Sequence, residues 1–264
     1  MPITNSYDPD TPAVISPGQM VRPVAGFPHT LIVTFQPRTF ATFVEQYEPS
    51  PLADIAIEES LGMSSPGAHS QVQVFSYAGQ TLGAYLSPVG AAPAVATMEK
   101  AIALGATRFV VFGTCGILAG APGADTLIVP TAAYRDEGTS YHYAPAADYA
   151  EVGSAGATAA VLDELAIPYL LGRVWTTDGL FRETRANLDK RVRDGCVAVD
   201  METSALAALA GFRGVAVHQF LYAGDALSGD DWDPGTLGTL PPGPRARYFR
   251  IAAEIAVRLG PFTG

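Results

Sequence analysis

From about residue 90 onward, patterns typical of buried strands alternate with patterns typical of helices. Short apolar runs rich in β-branched residues predict strands at 108–112, 126–133, 169–176, 197–199 and 214–222. Apolar residues at helical spacing predict helices at 94–104, 154–165, 184–194, 202–210 and 245–259. Such alternation predicts an α/β layer fold, because each helix carries the chain between two strands of a central sheet.

The first 90 residues complete this organisation. A strand is predicted at 29–35, and a hairpin of strands 71–77 and 80–86 is joined by Ala78 and Gly79. Residues 1–29 carry six prolines, which predict an extended arm. No linker interrupts the later alternation, so we expect one domain, 30–264, that follows an arm, 1–29, and has one long loop at 230–244.

Composition narrows the class of protein. Only 16% of the 264 residues are charged and 48% are apolar, which excludes a disordered chain. With 26 acidic and 16 basic residues, a basic face for nucleic acid is not expected. Two cysteines form no disulfide framework, the start has no signal-peptide pattern, and no apolar run reaches the ~18 residues of a membrane helix. We therefore expect a cytoplasmic protein with neither nucleic-acid nor membrane partners.

Ligands of α/β sheets bind beyond the carboxyl ends of the strands, so the strand ends are the candidate sites. After the strand at 108–112, Gly113 and Gly116 flank Thr114 and Cys115. Two glycines allow backbone N–H groups to approach an anion, although a tight turn explains them equally well. The polar run at 135–142 contains Arg135 and follows the next strand; its alternative interpretation is a solvated loop.

Three further strand ends carry candidate residues. After 169–176, Leu180 and Phe181 are suited to cover a flat ring, or the segment is a helix start capped by Thr177 or Asp178. After 197–199, Glu202 has two oxygens that suit a vicinal diol such as ribose, or it only complements a helix dipole. After 214–222, Asp225 precedes an acidic loop that would favour a protonated carboxyl, unless it is an ordinary turn residue.

Motifs of metal and covalent chemistry are absent from the sequence. HExxH, CxxC, GxxxxGK[ST] and GxSxG do not occur, and Cys115 beside glycines is better explained as a small residue than as a nucleophile. We therefore predict neither a metal site nor a covalent triad.

Taken together, five stretches resemble the nucleoside phosphorylase family of the purine and uridine phosphorylase type, which includes the methylthioadenosine nucleosidases. They are FGTCG (112–116), RDEGTSYHYAP (135–145), TTDGLFRET (176–184), VDMETSALAALA (199–210) and YAGD (222–225), and the similarity spans roughly residues 30 to 260. The resemblance implies a single-domain three-layer α/β/α sandwich with a mixed, distorted central sheet. It also implies an enzyme of nucleoside metabolism, such as purine salvage, that is a homo-oligomer, from dimer to hexamer.

The resemblance implies roles for particular residues. Asp225 would protonate a purine base, Met201 and Glu202 would bind ribose, and His29 would reach the sugar of a neighbouring subunit. The residues implied for the base are Leu180, Phe181 and Thr177, and those implied for phosphate are Gly113, Thr114, Arg38 and Arg135. Inorganic phosphate would be the co-substrate, and no cofactor is implied.

The sequence departs from the family pattern where phosphate would bind. Phe35-Gln-Pro-Arg38 contains no glycine, and Val111 stands where the phosphorylases have an arginine. Gln36 cannot serve as the water-activating carboxylate of the nucleosidases. We expect a phosphorylase that converts a purine-type nucleoside to free base and ribose 1-phosphate. The alternatives are a hydrolytic nucleosidase and a nucleoside-binding protein that has lost catalysis.

Overall fold

A computed structural model describes residues 2–55, 71–118, 126–229 and 231–259. Its strands are β1 Thr30–Thr34, β2 Ser50–Asp54, β3 Gln71–Tyr77, β4 Gln80–Leu86, β5 Arg108–Ile117, β6 Leu127–Asp136, β7 Tyr149–Glu151, β8 Tyr169–Thr177, β9 Cys196–Asp200 and β10 Ala216–Ala226. Its α-helices are α1 Pro17–Met20, α2 Pro37–Tyr47, α3 Ala91–Leu104, α4 Ala155–Glu164, α5 Arg185–Arg193, α6 Thr203–Arg213 and α7 Pro242–Arg258. Short 3₁₀ helices span Pro2–Asn5, Thr139–His142 and Leu180–Arg182.

The strands form one mixed ten-stranded sheet, which confirms the predicted fold class. Its order is β10-β6-β8-β9-β5-β1-β4-β3-β2, β7 pairs with β6, and β10 also pairs with β5. Strands β5, β10, β6, β8 and β9 therefore close into a ring. The long strand β5 belongs to both parts of the sheet, because it pairs with β1 as far as Phe112 and with β9 from Gly116. This distortion opens a gap between β1 and β9.

Helices cover both faces of the sheet, as the predicted three-layer sandwich requires. Ile32 packs with residues of α2, α4 and α7 on one face. The adjacent residues Leu31 and Val33 pack with residues of α3 and α6 on the other face. Alternate residues of a strand point to opposite faces, so a strand buried on both sides is an unbroken apolar run. For that reason the sequence identified these strands correctly.

Several features differ from the sequence predictions. Strands β2 and β7 were not predicted, and the short helix α1 lies within the arm that was predicted to be extended. Strand β5 continues through the glycines to Ile117 instead of ending at Phe112, because β10 pairs with it along this whole stretch. Helix α2 was not predicted, although Phe40, Phe43 and Tyr47 lie at helical spacing. Helix α7 begins three residues earlier than predicted, with a proline in its first turn, where the missing N–H costs no hydrogen bond.

The amino-terminal segment 2–29 lies along the end of α3. Val24 N–H donates to Leu104 O, and Phe27 is buried against the domain. Val14 and Ile15 are 94% and 66% exposed, which is unusual for apolar side chains. The division into an arm and a domain remains a prediction. No helix in the described parts of the chain is both long and apolar enough to cross a bilayer.

Candidate active site

The candidate site is a cavity of about 220 Å³ in the gap between β1 and β9. It lies where the pairing of β5 changes from one neighbour to the other, which is where α/β sheets bind ligands. Five of the residues predicted from the sequence line it: Thr114, Leu180, Met201, Glu202 and Asp225. The other lining residues are Phe35, Gln36, Val89, Cys115, Gly116, Glu183, Val199, Asp200, Leu227 and Leu237.

Glu202 is buried at the start of α6 and is oriented by the backbone of another segment. Its Oε1 accepts a hydrogen bond of 2.6 Å from Gly90 N–H, just before α3. Gly90 has a φ of 102°, a conformation that glycine adopts without strain. Burial and the charge of Asp200 raise the pKa of Glu202 to about 8, and the Gly90 N–H partly opposes the rise. No ion pair seals this carboxylate among the described residues, so it is available to hydroxyl groups in the cavity.

Asp200 has a structural role beside Glu202. Its Oδ1 accepts from Thr176 Oγ1 at 2.7 Å. Its Oδ2 accepts from Thr203 N at 2.8 Å, Thr203 Oγ1 at 2.6 Å and Glu202 N at 3.2 Å. These contacts satisfy N–H groups of the first turn of α6, as a capping carboxylate does. Burial raises the pKa of Asp200, while these donors oppose the rise. Asp200 therefore fixes the backbone that presents Met201 and Glu202.

Asp225 enters the cavity from β10, opposite the α6 start. Its Oδ2 accepts a hydrogen bond of 2.7 Å from Trp232 Nε1. Its Oδ1 lies on the side of Gly116, about 3.4 Å from where a Cβ would be on that glycine. A Cβ at 116 would also lie 2.5 Å from Leu227 Cδ1 and 3.0 Å from Val199 Cγ1, so a larger residue there would require these side chains to shift.

Of the three residues predicted to bind the base, only Leu180 lines the cavity. Leu180 lines the cavity, whereas Phe181 is 94% exposed and is not part of the lining. Thr177 is buried behind it: its hydroxyl donates to Asp136 and accepts from Gly179 N–H. Thr177 therefore shapes the turn that presents Leu180, instead of facing the cavity. The true cap of α5 is Thr184, which accepts from Asn187 N–H.

Glu183 is a cavity residue that the sequence reasoning did not single out. It follows the 3₁₀ turn Leu180–Arg182 and lines the cavity together with Asp225. Burial and the charge of Asp225 raise the pKa of Glu183 to about 7. The signal that could have found it was its place inside the TTDGLFRET motif, two residues after the predicted base-stacking pair.

The predicted phosphate side is only partly assembled. Thr114 lines the cavity and accepts a hydrogen bond from Gln36 Nε2 at 3.2 Å. Gly113 belongs to the extended strand β5, so the tight turn considered for residues 113–116 does not form, and Phe35 packs against Gly113. Strand β5 pairs with β1 up to residue 112 and with β9 from residue 116. Residues 113–115 of β5 therefore pair with neither strand, and they border the gap.

The two predicted arginines do not reach the cavity. Arg135 is buried, stacks on Tyr141 and donates to Ser140 Oγ at 2.8 Å. It also donates to the carbonyls of Ala144, Pro145 and Ala147, so it fixes the loop 140–147. Arg38 is exposed and donates to Gly238 O at 2.6 Å. The structure therefore gives neither arginine a place as a phosphate ligand within one chain.

Two more residues of the sequence analysis lie in defined places. His29 is exposed outside the cavity, with Nδ1 3.1 Å from Gly105 O. The Cys115 thiol is buried in the cavity wall, and burial raises its pKa well above the ordinary value, so it stays protonated.

In the parts of the chain that the structure covers, no three His, Cys, Asp or Glu side chains are grouped as a metal site requires.

Larger cavities elsewhere contain none of the predicted site residues. One of about 900 Å³ lies between the arm and helices α3 and α6. Another of about 480 Å³ lies near the start of β10 and is lined mainly by small side chains. Of these three cavities, the one at the β1–β9 gap is lined by residues that the sequence predicted for the site.

Comparison with solved structures supports the same architecture. An AMP nucleosidase from Bacteroides thetaiotaomicron VPI-5482 is 20% identical with a TM-score of 0.65, covering 88% of this chain and 89% of its own. A purine nucleoside phosphorylase from Toxoplasma gondii, in complex with immucillin-H, is 19% identical with a TM-score of 0.69, covering 91% and 93%. A uridine phosphorylase from Vibrio fischeri ES114 is 20% identical with a TM-score of 0.71, covering 94% and 100%.

At these identities the similarity establishes the fold alone. No curated protein sequence matches the chain. The sequence model of the phosphorylase superfamily, however, matches residues 29–237, which is most of the chain and includes all five motifs. The chain therefore belongs to the phosphorylase superfamily, the family that its motifs predicted.

Proposed function

We propose that this protein hydrolyses the N-glycosidic bond of a purine nucleoside, with water as the nucleophile. The observation that carries the proposal is the charge of the cavity: its lining contains four carboxylic acids and no Lys, Arg or His. The undescribed stretches 56–70, 119–125, 230 and 260–264 contain no Lys or Arg in the sequence either. Phosphate binding needs cationic, bidentate donors, so this chain by itself is poorly equipped for phosphorolysis.

The sugar side of the cavity suits a ribose. The Glu202 carboxyl group is placed to contact two neighbouring hydroxyl groups of the sugar and accepts from both in its ionised form, and the Gly90 N–H keeps it pointed at the cavity. Met201 and Val199 supply an apolar surface for the sugar ring. A cavity of about 220 Å³ is smaller than the roughly 300–1,000 Å³ of typical ligand sites, which favours a nucleoside without a large substituent.

The base side of the cavity suits a leaving group that takes up a proton. Leu180 and Leu237 offer an apolar surface for a flat ring, and Asp225 and Glu183 face the same space. A purine carries ring nitrogens that such acids can contact. Those acids of the cavity that are ionised stabilise the developing positive charge on the ribose, because they are already oriented before the reaction.

The nucleophile side suits water. Gln36 donates to Thr114 Oγ1, and its amide oxygen remains available to orient a water molecule. When the base departs, it leaves an oxocarbenium-like sugar. Attack on such a sugar depends more on the position of the water molecule than on a strong base that deprotonates it. One of the similar folds is a nucleosidase and two are phosphorylases, so the fold itself accommodates both reactions.

A panel of nucleosides, assayed with and without phosphate, tests the proposal. Free base should appear from adenosine, inosine or guanosine at the same rate after phosphate has been removed. AMP should be a poor substrate, because no cation in the lining meets its phosphate group. Glu202→Ala should abolish turnover, and Glu45→Gln, an exposed carboxyl of α2, is the matched control.

Two outcomes would overturn the hydrolytic assignment. Phosphate-dependent release of base with ribose 1-phosphate would favour the phosphorylase that the sequence predicted. Tight binding of a nucleoside in calorimetry without turnover under either condition would favour a binding protein.

We also propose that the chain forms a homo-oligomer through its arm. Val14 and Ile15 are exposed apolar residues of that arm, and burying them against a second copy would remove them from water. His29, exposed and outside the cavity of its own chain, could contact a sugar only in a neighbouring subunit. Native mass spectrometry of the full chain and of Val14→Ser/Ile15→Ser tests this: a monomeric wild type would refute it.

A further inference from the structure

The four acids of the cavity differ in their hydrogen bonds. Asp200 accepts from several donors, Glu202 accepts from Gly90 N–H, and Asp225 accepts from Trp232 Nε1. Glu183 alone has neither a hydrogen bond nor an ion pair with any described residue. A half-buried carboxyl without a partner is costly to ionise, so it either holds a proton or waits for a ligand.

The position of Glu183 identifies its ligand. It shares the cavity with Leu180, at the surface that we assign to the base, and with Asp225, whose charge acts on it. The Trp232 N–H contact occupies one oxygen of Asp225 and is a contact suited to a carboxylate acceptor. Within this pair, Asp225 is therefore the better acceptor and Glu183 the better donor.

We propose that Glu183 supplies the proton to the departing base, with Asp225 as the carboxylate that keeps this proton on Glu183. The proposal rests on the proposed function. As the bond between C1′ and the base nitrogen breaks, its electron pair goes to the base, and the Glu183 carboxyl proton moves onto a base nitrogen. Water adds to C1′, and the proton it loses returns through solvent to the Glu183 carboxylate.

The electrostatic surroundings agree with this role. Burial and the charge of Asp225 raise the pKa of Glu183 to about 7, so much of it is protonated at neutral pH. A general acid works best when its pKa lies near the working pH. The guanidinium of the neighbouring Arg185 donates to Leu227 O and Gly229 O, and Arg185 does not line the cavity. The titratable and charged groups around Glu183 are Asp225 of β10, Asp200 of β9, Glu202 before α6, Cys115 of β5, Arg182 of its own turn and Arg185 of α5.

Two substrates with different leaving groups test the proposal. Glu183→Gln should lower kcat for a purine nucleoside about 10²- to 10³-fold, as expected for loss of a general acid. It should leave kcat for 4-nitrophenyl β-D-riboside within about threefold, because nitrophenolate departs without a proton. In the wild type, kcat/KM for the nucleoside should fall above about pH 7, and this decrease should be absent in Glu183→Gln.

Asp225→Asn is the companion variant. Removing the Asp225 charge should move the alkaline decrease of the nucleoside reaction to lower pH, since that charge helps Glu183 keep its proton. Equal losses of kcat for both substrates in Glu183→Gln, or an unchanged pH profile, would overturn the role of Glu183. If the wild type cleaves neither substrate, the proposed function fails instead, so the two failures are distinguishable.

Discussion

Replacing Glu202 by Gln should stabilise the protein while removing its activity. Burial and Asp200 raise the pKa of Glu202 from 4.5 to about 8. At about 1.36 kcal/mol per pH unit, this interval costs the folded state up to about 5 kcal/mol when the group is fully ionised. The glutamine amide keeps an oxygen for the Gly90 N–H, so the variant should retain the local fold.

The sign of the pH dependence follows from linkage. Because the pKa is raised on folding, the favourable contribution of Glu202 is fully present below pH 4.5 and is lost as the pH rises through about 8. The free energy of unfolding of the variant should therefore exceed that of the wild type by less than about 1 kcal/mol at pH 5 and by about 5 kcal/mol at pH 9.

Urea denaturation of both proteins at pH 5, 7 and 9 measures this difference. Glu45→Gln, which removes an exposed carboxyl of α2, should show no comparable trend. A difference between Glu202→Gln and the wild type that stays constant with pH would refute the reasoning, because it would mean that the buried acid carries no ionisation penalty. Retention of nucleoside cleavage by the variant would refute the assignment of the ribose contact.

Further predictions concern the surroundings of the site. Asp225→Asn should lower kcat for a purine nucleoside more at pH 8 than at pH 6, because the charge of Asp225 helps Glu183 keep its proton, while the dissociation constant of a non-cleavable C-nucleoside changes less than about threefold; equal losses of kcat at both pH values would mean that Asp225 only shapes the loop. Arg135→Met should lower the free energy of unfolding by about 2–4 kcal/mol, because buried carbonyls of the loop 140–147 lose their donor, and it should not change the phosphate dependence measured in the nucleoside assay. Gly90→Ala should cost about 1–3 kcal/mol in denaturation experiments, because alanine is strained at a φ of 102°, and should weaken C-nucleoside binding by misdirecting Glu202; unchanged binding would show that the Gly90 contact is dispensable.

The motif that contained Arg135 shows how far local sequence reasoning could reach. The run 135–142 begins within the last two residues of β6, and its Arg135 was interpreted as a phosphate ligand. In the structure, Glu137 accepts from Ser204 Oγ of α6, and Ser204 N–H donates to Thr176 Oγ1, which in turn donates to Asp200. Through these hydrogen bonds, the run holds the start of α6, where Glu202 lies, in place. Sequence alone does not reveal which side of a strand end a polar side chain faces.

The sequence by itself determined the strands buried on both faces, the layer fold and the family. Unbroken apolar runs and amphipathic helices have few other ways to bury their surface, and the five motifs are specific in combination. Only the tertiary structure decided the charge of the cavity. Whether Arg38, Arg135 and Glu183 face it depends on how β5 changes partners and on which carbonyls the arginines meet. Those contacts join residues far apart in the chain, and no local pattern encodes them.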